Sequence, residues 1–283
     1  MWKTILCAAA IWVWAAVPAA GAELYLKLGG GLGLFDPQQI NQVLSDWHEA
    51  GRREADFRNN WTYLDGKDPR FERNIDFGGE LQLSLSSRIS MSVGVGFVYA
   101  ELKPEDTEVR ILKPLGETLL VQPTTLSAVP LLASVYYYLP LHSRLRLYVK
   151  AGTGLVWATF VEREGSRRET ASKFSYTREE KATTRSPIQV GGLGIDFALE
   201  SHVRFYLEAN YRRLLLDGFS AEEGDNQTGT LYSYQEYLSD LEFWQTKNRL
   251  WDQPPTGAGF REVQETEVDL SGFSLVLGIA VRF

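Results

Sequence analysis

Long stretches of alternating side chains are the feature that most constrains how this chain can fold. Between positions 74 and 86, the odd positions carry Ile, Phe, Gly and Leu, and the even positions carry Asp, Gly, Glu, Gln and Ser. After a short polar turn, residues 89–99 repeat the pattern, with large apolar residues on one face and Ser or Gly on the other. A period of two is that of a β-strand. The two segments predict a hairpin of long strands.

The same alternation predicts eight strands in all. They are residues 24–34, 74–86, 89–99, 129–139, 145–159, 193–199, 203–211 and 270–283. The connections near Ser87, His142 and Ser201 are short and the other four are long. An even number of strands with alternately short and long connections is typical of a bacterial barrel with periplasmic turns and outer loops.

The polarity of the two faces separates a membrane barrel from a soluble one. A soluble barrel or sandwich buries its large apolar side chains, and a lipocalin-like barrel is the alternative here. In this chain the second face is Gly, Ser and charge, which suits lipid outside and a narrow polar lumen inside. We therefore expect an all-β, eight-stranded antiparallel up-and-down transmembrane barrel. Its long outer loops are expected to carry short helices.

The first 22 residues predict an export signal. Lys3 precedes an apolar run over residues 4–17, and the small residues Ala20 and Ala22 suit cleavage. We expect residues 1–22 to be a signal peptide and 23–283 to be the barrel, with an uncleaved anchor as the alternative. The only cysteine, Cys7, lies in the signal, so the mature chain has no disulfide or cysteine metal site.

Charge limits the partners. Of 29 basic residues, Lys3 lies in the signal, which leaves 28 against 36 acidic residues and a net charge of −8. That balance disfavours nucleic acid as a partner. The sequence predicts no cofactor and no metal.

The last predicted strand carries the most specific family signal. Its alternating side chains end in a terminal phenylalanine; they are Phe273, Leu275, Leu277, Ile279, Val281 and Phe283. With the alternation described above, the chain resembles the small outer-membrane barrels of the OmpA transmembrane-domain and OmpX type. The resemblance implies that Phe283 is a recognition signal for the barrel-assembly machinery. It implies no single activity, because such barrels include adhesins, stabilisers, narrow channels and enzymes. No peptidoglycan-binding domain is expected after the last strand.

Five charged residues are predicted to face the lumen at middle depth. They are Lys27, Glu80, Lys150, Asp196 and Glu208. Unpaired charges cost several kcal/mol in a narrow interior, so we expect them to pair across the barrel. The pairs either plug the lumen or form a gate that passes small ions. The glycine runs at 29–33 and 191–194 lack a phosphate-loop context and are expected to make room for lumen side chains.

Loop one, about residues 35–73, and loop four, about residues 218–267, are each predicted to hold an amphipathic helix. In loop one, an Asp36 cap with Pro37 at the first helical position precedes a stripe of Ile40, Val43, Leu44 and Trp47 that ends before Gly51. In loop four, Ser233 and Glu236 form a capping box ahead of an apolar stripe. The helices either cap the mouth by packing together or form a docking surface. Its candidate residues are Trp47, Tyr234, Tyr237, Trp244 and Trp251.

Loops two and three offer two further expectations. In loop two, residues 108–113 and 117–121 flank Pro114 and Gly116 as a projecting hairpin, which is solvated or binds a partner by strand addition as OmpX-type proteins suggest. Loop three, residues 162–185, is basic. Four of its arginines, Arg163, Arg167, Arg168 and Arg178, could meet lipopolysaccharide phosphates or remain solvated.

A catalytic role has little support in the sequence. Barrels resembling this one modify lipid A with a histidine, a serine and a carboxylate, but His142 and His202 lie in predicted periplasmic turns. His48 beside Glu49 is the remaining candidate, and adjacent helix positions point apart. We expect a non-enzymatic, surface-exposed barrel of the outer membrane whose loops bind a partner or support the envelope. Its expected partners are outer-membrane lipids, lipopolysaccharide, and an extracellular protein or glycan. A narrow porin-like channel is the alternative, and a lipid A-modifying enzyme is the third.

Overall fold

The computed structural model describes residues 23–58, 60–67, 69–168, 173–221 and 228–283. The predicted signal peptide lies outside these residues. One helix, α1, spans Gln38–Phe57. The described residues form seventeen strands: β1 Glu23–Phe35, β2 Thr62–Gly66, β3 Arg73–Ser84, β4 Ile89–Leu102, β5 Val109–Lys113, β6 Gly116–Val121, β7 Thr124–His142, β8 Leu145–Arg168, β9 Ser175–Ala198, β10 Val203–Arg213, β11 Leu215–Leu216, β12 Ser220–Ala221, β13 Thr230–Leu238, β14 Phe243–Trp251, β15 Phe260–Glu265, β16 Val268–Asp269 and β17 Gly272–Arg282. Within the described residues, no helix has the length and apolar character needed to cross a membrane.

The long strands pair antiparallel with their neighbours in a ring. The order is β1, β3, β4, β7, β8, β9, β10 and β17, and β17 pairs with β1 again. Each of these strands overlaps one of the segments that the alternation predicted. The chain nevertheless has many more strands than that, because the long connections form sheet of their own.

The ring strands change polarity along their length, as β7 shows. Near the short turns its buried residues are Ser134, Tyr136 and Tyr138, and its exposed residues are Val135, Tyr137 and Leu139. Towards the long connections the buried face carries Leu126 and Ala128, and the other face carries Thr125 and Ser127. We call the first part of the ring the belt half and the second the loop half.

The belt half has large apolar side chains exposed all round its outer wall. Examples are Leu28 and Leu32 of β1, Phe77 and Leu81 of β3, Met91 and Val93 of β4, Leu193 and Ile195 of β9, Phe205 and Leu207 of β10, and Leu275 and Leu277 of β17. An exposed apolar surface of this extent marks a lipid-facing or partner-facing wall.

The loop half has its own apolar core inside the ring. It comprises twenty buried side chains, among them Val98, Leu126 and Phe160 from the ring strands, and Ile40 and Leu44 from α1. Phe219, Leu231 and Val268 of the connection between β10 and β17 complete its mouth side. The loops therefore fold into the end of the ring.

Loop one contains the expected helix, with the predicted stripe buried. The helix runs through Gly51 to Phe57 and was expected to end earlier. The predicted cap was wrong in detail: helix α1 begins at Gln38, and the Asp36 carboxylate instead accepts a hydrogen bond from the Asn41 side chain at 2.9 Å. The satellite core beneath α1 contains Trp47, Val109 and Ile111, so loops one and two pack together.

The predicted hairpin of loop two is present. Strands β5 and β6 pair with each other, with Lys113 opposite Gly116 next to the turn. Strand β2 pairs with β5, and β6 pairs with the end of β8 that lies far from the short turns. Loop three differs from its prediction. Strands β8 and β9 continue through most of it, with Glu162 opposite Glu180 and Glu164 opposite Arg178, so the predicted loop is an extension of the ring strands.

The helix predicted in loop four is wrong. Its residues form the hairpin β13–β14, and β15 pairs with the other edge of β13. Ser233 is buried in the sheet opposite Asn248 and caps no helix. The Tyr, Trp and Thr residues that fit a helical stripe also favour strands, and strand pairing decided between the two periods. Loops one and four still pack together, since the Asp46 carboxylate accepts a hydrogen bond from the Thr246 amide at 3.0 Å.

Candidate functional site

Four of the five predicted lumen charges meet inside the belt half. The Lys150 ammonium donates to Glu80 at 2.6 Å and to Glu208 at 3.2 Å. The Lys27 ammonium lies 3.5 Å from the other oxygen of Glu208. Two cations and two carboxylates therefore form a neutral, buried cluster that we call the ionic quartet. Strands β1, β3, β8 and β10 contribute one residue each, so the cluster ties together opposite sides of the ring.

Three tyrosines that were not predicted as site residues enclose the quartet. The Lys27 ammonium lies 4.3 to 5.0 Å from the ring centres of Tyr136, Tyr148 and Tyr206. The Tyr148 hydroxyl donates to Glu208 at 2.7 Å, and the Tyr136 hydroxyl donates to Glu80. All three occupy the same alternating face as the quartet, and that shared parity is the signal that could have identified them.

Glycines opposite these side chains provide the space that the sequence predicted. A Cβ at Gly94 would lie 2.5 Å from the Glu80 side chain, and one at Gly194 would lie 2.2 Å from the Tyr148 ring. Either substitution would push a quartet residue or its tyrosine partner out of place. The glycine runs are therefore part of the packing around the quartet.

Asp196 does not join the quartet. Its carboxylate lies 2.6 Å from the Arg146 guanidinium and also contacts Arg204. All three residues lie close to the short turns, so the predicted middle depth of Asp196 was wrong. A second ionic layer therefore lies between the quartet and the turns.

A third charged group and a small cavity lie on the loop side of the quartet. The Arg212 guanidinium contacts Asp76 and Asn74, each at 3.3 Å. A cavity of about 120 Å³ separates this group from the quartet. Among the described residues, the Asn210 side-chain oxygen has no hydrogen-bond partner and Asn210 lines the cavity. The volume suits a few water molecules.

The residues predicted for a docking surface divide into two groups. Trp47 and Tyr234 are buried, Trp47 beneath α1 and Tyr234 against Trp251 and Phe260, so neither can contact a partner. Tyr237 is 40% exposed and its ring centre lies 5.1 Å from that of Trp244.

Arg261, which was not predicted as a site residue, joins these rings at the tip of loop four, where Tyr237 and Arg261 are exposed and Trp244 is half-buried. Its guanidinium lies 4.1 Å from the Trp244 ring, and its Nε donates to the Gln235 side chain at 2.6 Å. We call Tyr237, Trp244 and Arg261 the loop-four tip.

The four arginines suggested for phosphate binding are separated by the structure. Arg163 forms two hydrogen bonds with Glu179, at 2.9 and 3.3 Å. The Arg178 side chain is largely buried, and its guanidinium contacts Glu162 at 2.7 Å, Glu164 at 3.3 Å and Glu180 at 3.6 Å. Arg167 lies 4.6 Å from the Phe174 ring, and Arg168 is exposed.

Burial raises the pKa of two carboxyl groups beside Arg178. Both groups lie well beyond the apolar belt. Desolvation raises the pKa of Glu162 although Arg178, Gln122 and Asn248 oppose it. Desolvation also raises the pKa of Glu180, against the opposing effects of Arg178, the Leu250 amide and Arg249. This acidic cluster holds the end of β9 against β14 of loop four, because the Leu250 amide donates to Glu180 at 3.3 Å.

The Glu49 carboxylate, next to the catalytic candidate His48, is engaged by two arginines. Hydrogen bonds from Arg52 and Arg53 lower the pKa of Glu49 and hold it on the helix surface. The His48 ring faces the Tyr63 hydroxyl at 3.4 Å. The described residues contain no group of three His, Cys, Asp or Glu side chains arranged for a metal ion.

Phe283 lies on the outer wall at the turn side. Its amide donates to the Leu24 carbonyl at 3.0 Å, and its side chain is 74% exposed. Its role as an assembly signal stays a prediction.

Comparison with protein families decides the class of this protein. Residues 5–235 match the family described as outer membrane protein beta-barrel domain. The chain belongs to this family. Membership places the protein among outer-membrane proteins, in agreement with the resemblance seen in the sequence. Comparison with the curated proteins gives no match.

Several solved structures are similar to this chain. Neisserial surface protein A is 9% identical with a TM-score of 0.41, over 93% of this chain and 99% of that one. OprG from Pseudomonas aeruginosa is 13% identical with a TM-score of 0.39, over 92% and 96%. The outer membrane protease OmpT from Escherichia coli is 9% identical with a TM-score of 0.33, over 93% and 96%. Likeness this distant carries no argument about activity.

Proposed function

We propose that the protein is a closed, non-enzymatic, eight-stranded barrel of the outer membrane that presents its folded loops to a partner outside the cell. The observation that carries the proposal is the filled interior. The ionic quartet occupies the belt half, and a core of twenty buried apolar side chains occupies the loop half above it. Solutes would have to displace both layers.

The outer wall supports the placement in the membrane. A closed ring leaves no strand edge unpaired, which a lipid environment requires. The exposed apolar wall of the belt half would face lipid, the short turns would face the periplasm and the loop half would face outside. Residues 1–22 would direct export, and Phe283 would be read by the assembly machinery.

The loop-four tip is the candidate surface for the partner. Tyrosine, tryptophan and arginine are the residue types that dominate binding energy at protein interfaces. The tilted rings of Tyr237 and Trp244 pack beside Arg261 on a three-stranded sheet, so little side-chain freedom would be lost on binding. Of the other residues predicted for a docking surface, Trp47 and Tyr234 are already used for packing.

Capture of partners tests this role. Tagged protein carrying Tyr237→Ala and Trp244→Ala should lose at least about tenfold of a specifically captured surface protein or glycan, the loss expected from removing one hot spot. Tyr176→Ala, which removes another exposed aromatic side chain in loop three, is the matched control. Equal capture by all three proteins would overturn the assignment to the loop-four tip.

A narrow channel is the second candidate, and the cavity beside the quartet favours it. The cavity of about 120 Å³ is lined by Lys27, Glu80, Lys150 and Glu208, so it could form part of an ion path. Recording from single proteins in planar bilayers separates the two functions. A closed barrel gives no discrete conductance. Discrete steps that change in Glu80→Ala or Lys150→Ala would instead establish the channel.

A further inference from the structure

One side of the outer wall departs from the aliphatic belt. On β9, Arg185, Pro187 and Gln189 are exposed and alternate with the buried Ser186 and Ile188. Gln189 lies opposite Thr153 of β8 on one side and opposite Arg213 of β10 on the other. Arg185 lies opposite Trp157, with its guanidinium 5.2 Å from the indole ring. Polar and cationic groups therefore cluster on three adjacent strands, where the apolar wall ends.

The two arginines of this cluster are not neutralised. Among the described residues, neither Arg185 nor Arg213 has a carboxylate within ion-pair distance, whereas Arg163 further along β8 pairs with Glu179. Arg185 and Gln189 are four positions apart, about 13 Å along a strand. The face thus presents one cation, Arg213, beside the Gln189 amide and a second, Arg185, about 13 Å from that amide, and both side chains lie on the exposed face of their strands.

An apolar groove adjoins the cluster on its turn side. It has a volume of about 350 Å³ and is lined mainly by strands β8, β9 and β10, together with Leu139 of β7 and Leu275 of β17. Its lining includes Leu147, Val149, Leu193, Leu207 and Ala209. Between the groove and the arginines, Gly191 lies opposite Ala151 of β8 and the exposed Tyr211 of β10, and a Cβ at Gly191 would meet nothing within 4 Å.

We propose that this face binds one phosphorylated glycolipid of the outer leaflet, the lipid A part of lipopolysaccharide. An acyl chain occupies the groove, Gln189 and Thr153 bind the sugar, and Arg185 and Arg213 each bind a phosphate. Guanidinium groups pair well with phosphate oxygens. A phospholipid with a single phosphate reaches only one of the two arginines, so the spacing favours a headgroup with two.

The proposal rests on the orientation given above, in which the loop half faces outside, and does not depend on the loop-four tip. The test uses full-length protein in vesicles of phosphatidylglycerol doped with lipopolysaccharide. Lipid retained by the protein after extraction into detergent is measured by native mass spectrometry. Arg185→Gln with Arg213→Gln should lower retention at least about tenfold, through the loss of charge-assisted hydrogen bonds.

Two further proteins control the test. Arg73→Gln removes an exposed cation from the outer wall of β3, elsewhere on the ring, and should retain lipid normally. Gly191→Leu adds a large side chain beside the groove, at a position where a Cβ would meet nothing within 4 Å, so it should weaken lipid retention. Dephosphorylated lipopolysaccharide should bind the unaltered protein as weakly as native lipopolysaccharide binds the double variant.

Three results would overturn the site. They are equal retention by the double variant, an equal loss in Arg73→Gln, and equal retention of phosphatidylglycerol alone. Digestion of whole cells with an external protease tests the orientation separately. Loops that resist cleavage in intact cells and are cut after lysis would refute the orientation itself, whatever the lipid measurement showed.

Discussion

The belt half and the loop half of the ring use the same strands with opposite polarity. In the belt half, tyrosines and the ionic quartet lie inside and aliphatic side chains lie outside. In the loop half, Leu126, Val156 and Phe160 lie inside, and polar residues such as Thr125 lie on the opposite face. The alternation continues without a break between them.

This difference teaches that the surroundings of the wall set which face is apolar. Lipid around the belt half would satisfy outward aliphatic groups, and water around the loop half would satisfy outward polar groups. The interior then takes the remaining residues, and polar ones must be fully paired there. Four tests sharpen the comparison, and the first has the largest expected effect.

The apolar interior of the loop half should be the more sensitive to loss of volume. Phe160 is fully buried against Phe219, so Phe160→Ala should lower the free energy of unfolding by about 4 kcal/mol. Phe77→Ala, on the outer wall of the belt half and 58% exposed, should cost less than half of that. Urea unfolding of refolded protein in vesicles measures both. Equal losses would contradict the assignment of an apolar core to the loop half.

The polar interior of the belt half should be sensitive to loss of a charge. Glu208→Ala leaves Lys27 and Lys150 with fewer partners and should cost about 3 kcal/mol, since an uncompensated charge remains buried. Adding Lys27→Met removes one orphaned cation and should recover part of the loss. The same urea unfolding assay applies. If the double variant were no more stable than the single one, the quartet would not be energetically coupled.

The outer surfaces of the belt half and of the loop half should differ in how much a new positive charge destabilises the protein. Leu277→Arg places a cation in the apolar belt and should cost about 2–3 kcal/mol in vesicles. Leu115→Arg, at the tip of the hairpin β5–β6 and 83% exposed, should cost almost nothing because water surrounds it. Both proteins are compared by unfolding in vesicles. A harmless Leu277→Arg would remove the basis for placing this wall in lipid.

The acidic cluster of the loop half should make stability depend on pH. Burial raises the pKa of Glu162 in the folded protein. Protonation of Glu162 therefore stabilises the fold fully below the pKa that this group has in the unfolded chain. That stabilisation is lost as the pH rises through the pKa that it has in the folded protein. The docking of β14 should therefore tighten on acidification from neutral pH. The change is at most about 1.4 kcal/mol per pH unit for each group.

Hydrogen exchange at the Leu250 amide, compared with Glu162→Gln, measures this effect. The variant should keep the protection of the acidified protein at neutral pH and show a flatter pH profile. An identical profile in both proteins would assign the pH dependence to other groups.

The sequence predicted elements that depend on local pattern and missed those that depend on pairing. The stripe of α1 and the hairpin β5–β6 follow from residue spacing and turn chemistry, and both are present. The apolar stripe over β13 and β14 fits the period of a helix as well as that of a strand. These residues form strands, which pair with β15 and contact α1. Likewise Asp196 shares the inward parity of the quartet, but it lies near the end of β9 and pairs there with Arg146 and Arg204.

The sequence by itself determined which residues share a face, because the period of two is set by the backbone of each strand. It therefore identified Lys27, Glu80, Lys150 and Glu208 as inward and the aliphatic wall as outward. Only the tertiary structure decided which inward residues meet, since partners such as Lys27 and Glu208 are 181 positions apart. It also decided that the loops fill the ring, because a buried apolar core forms only when several distant segments converge.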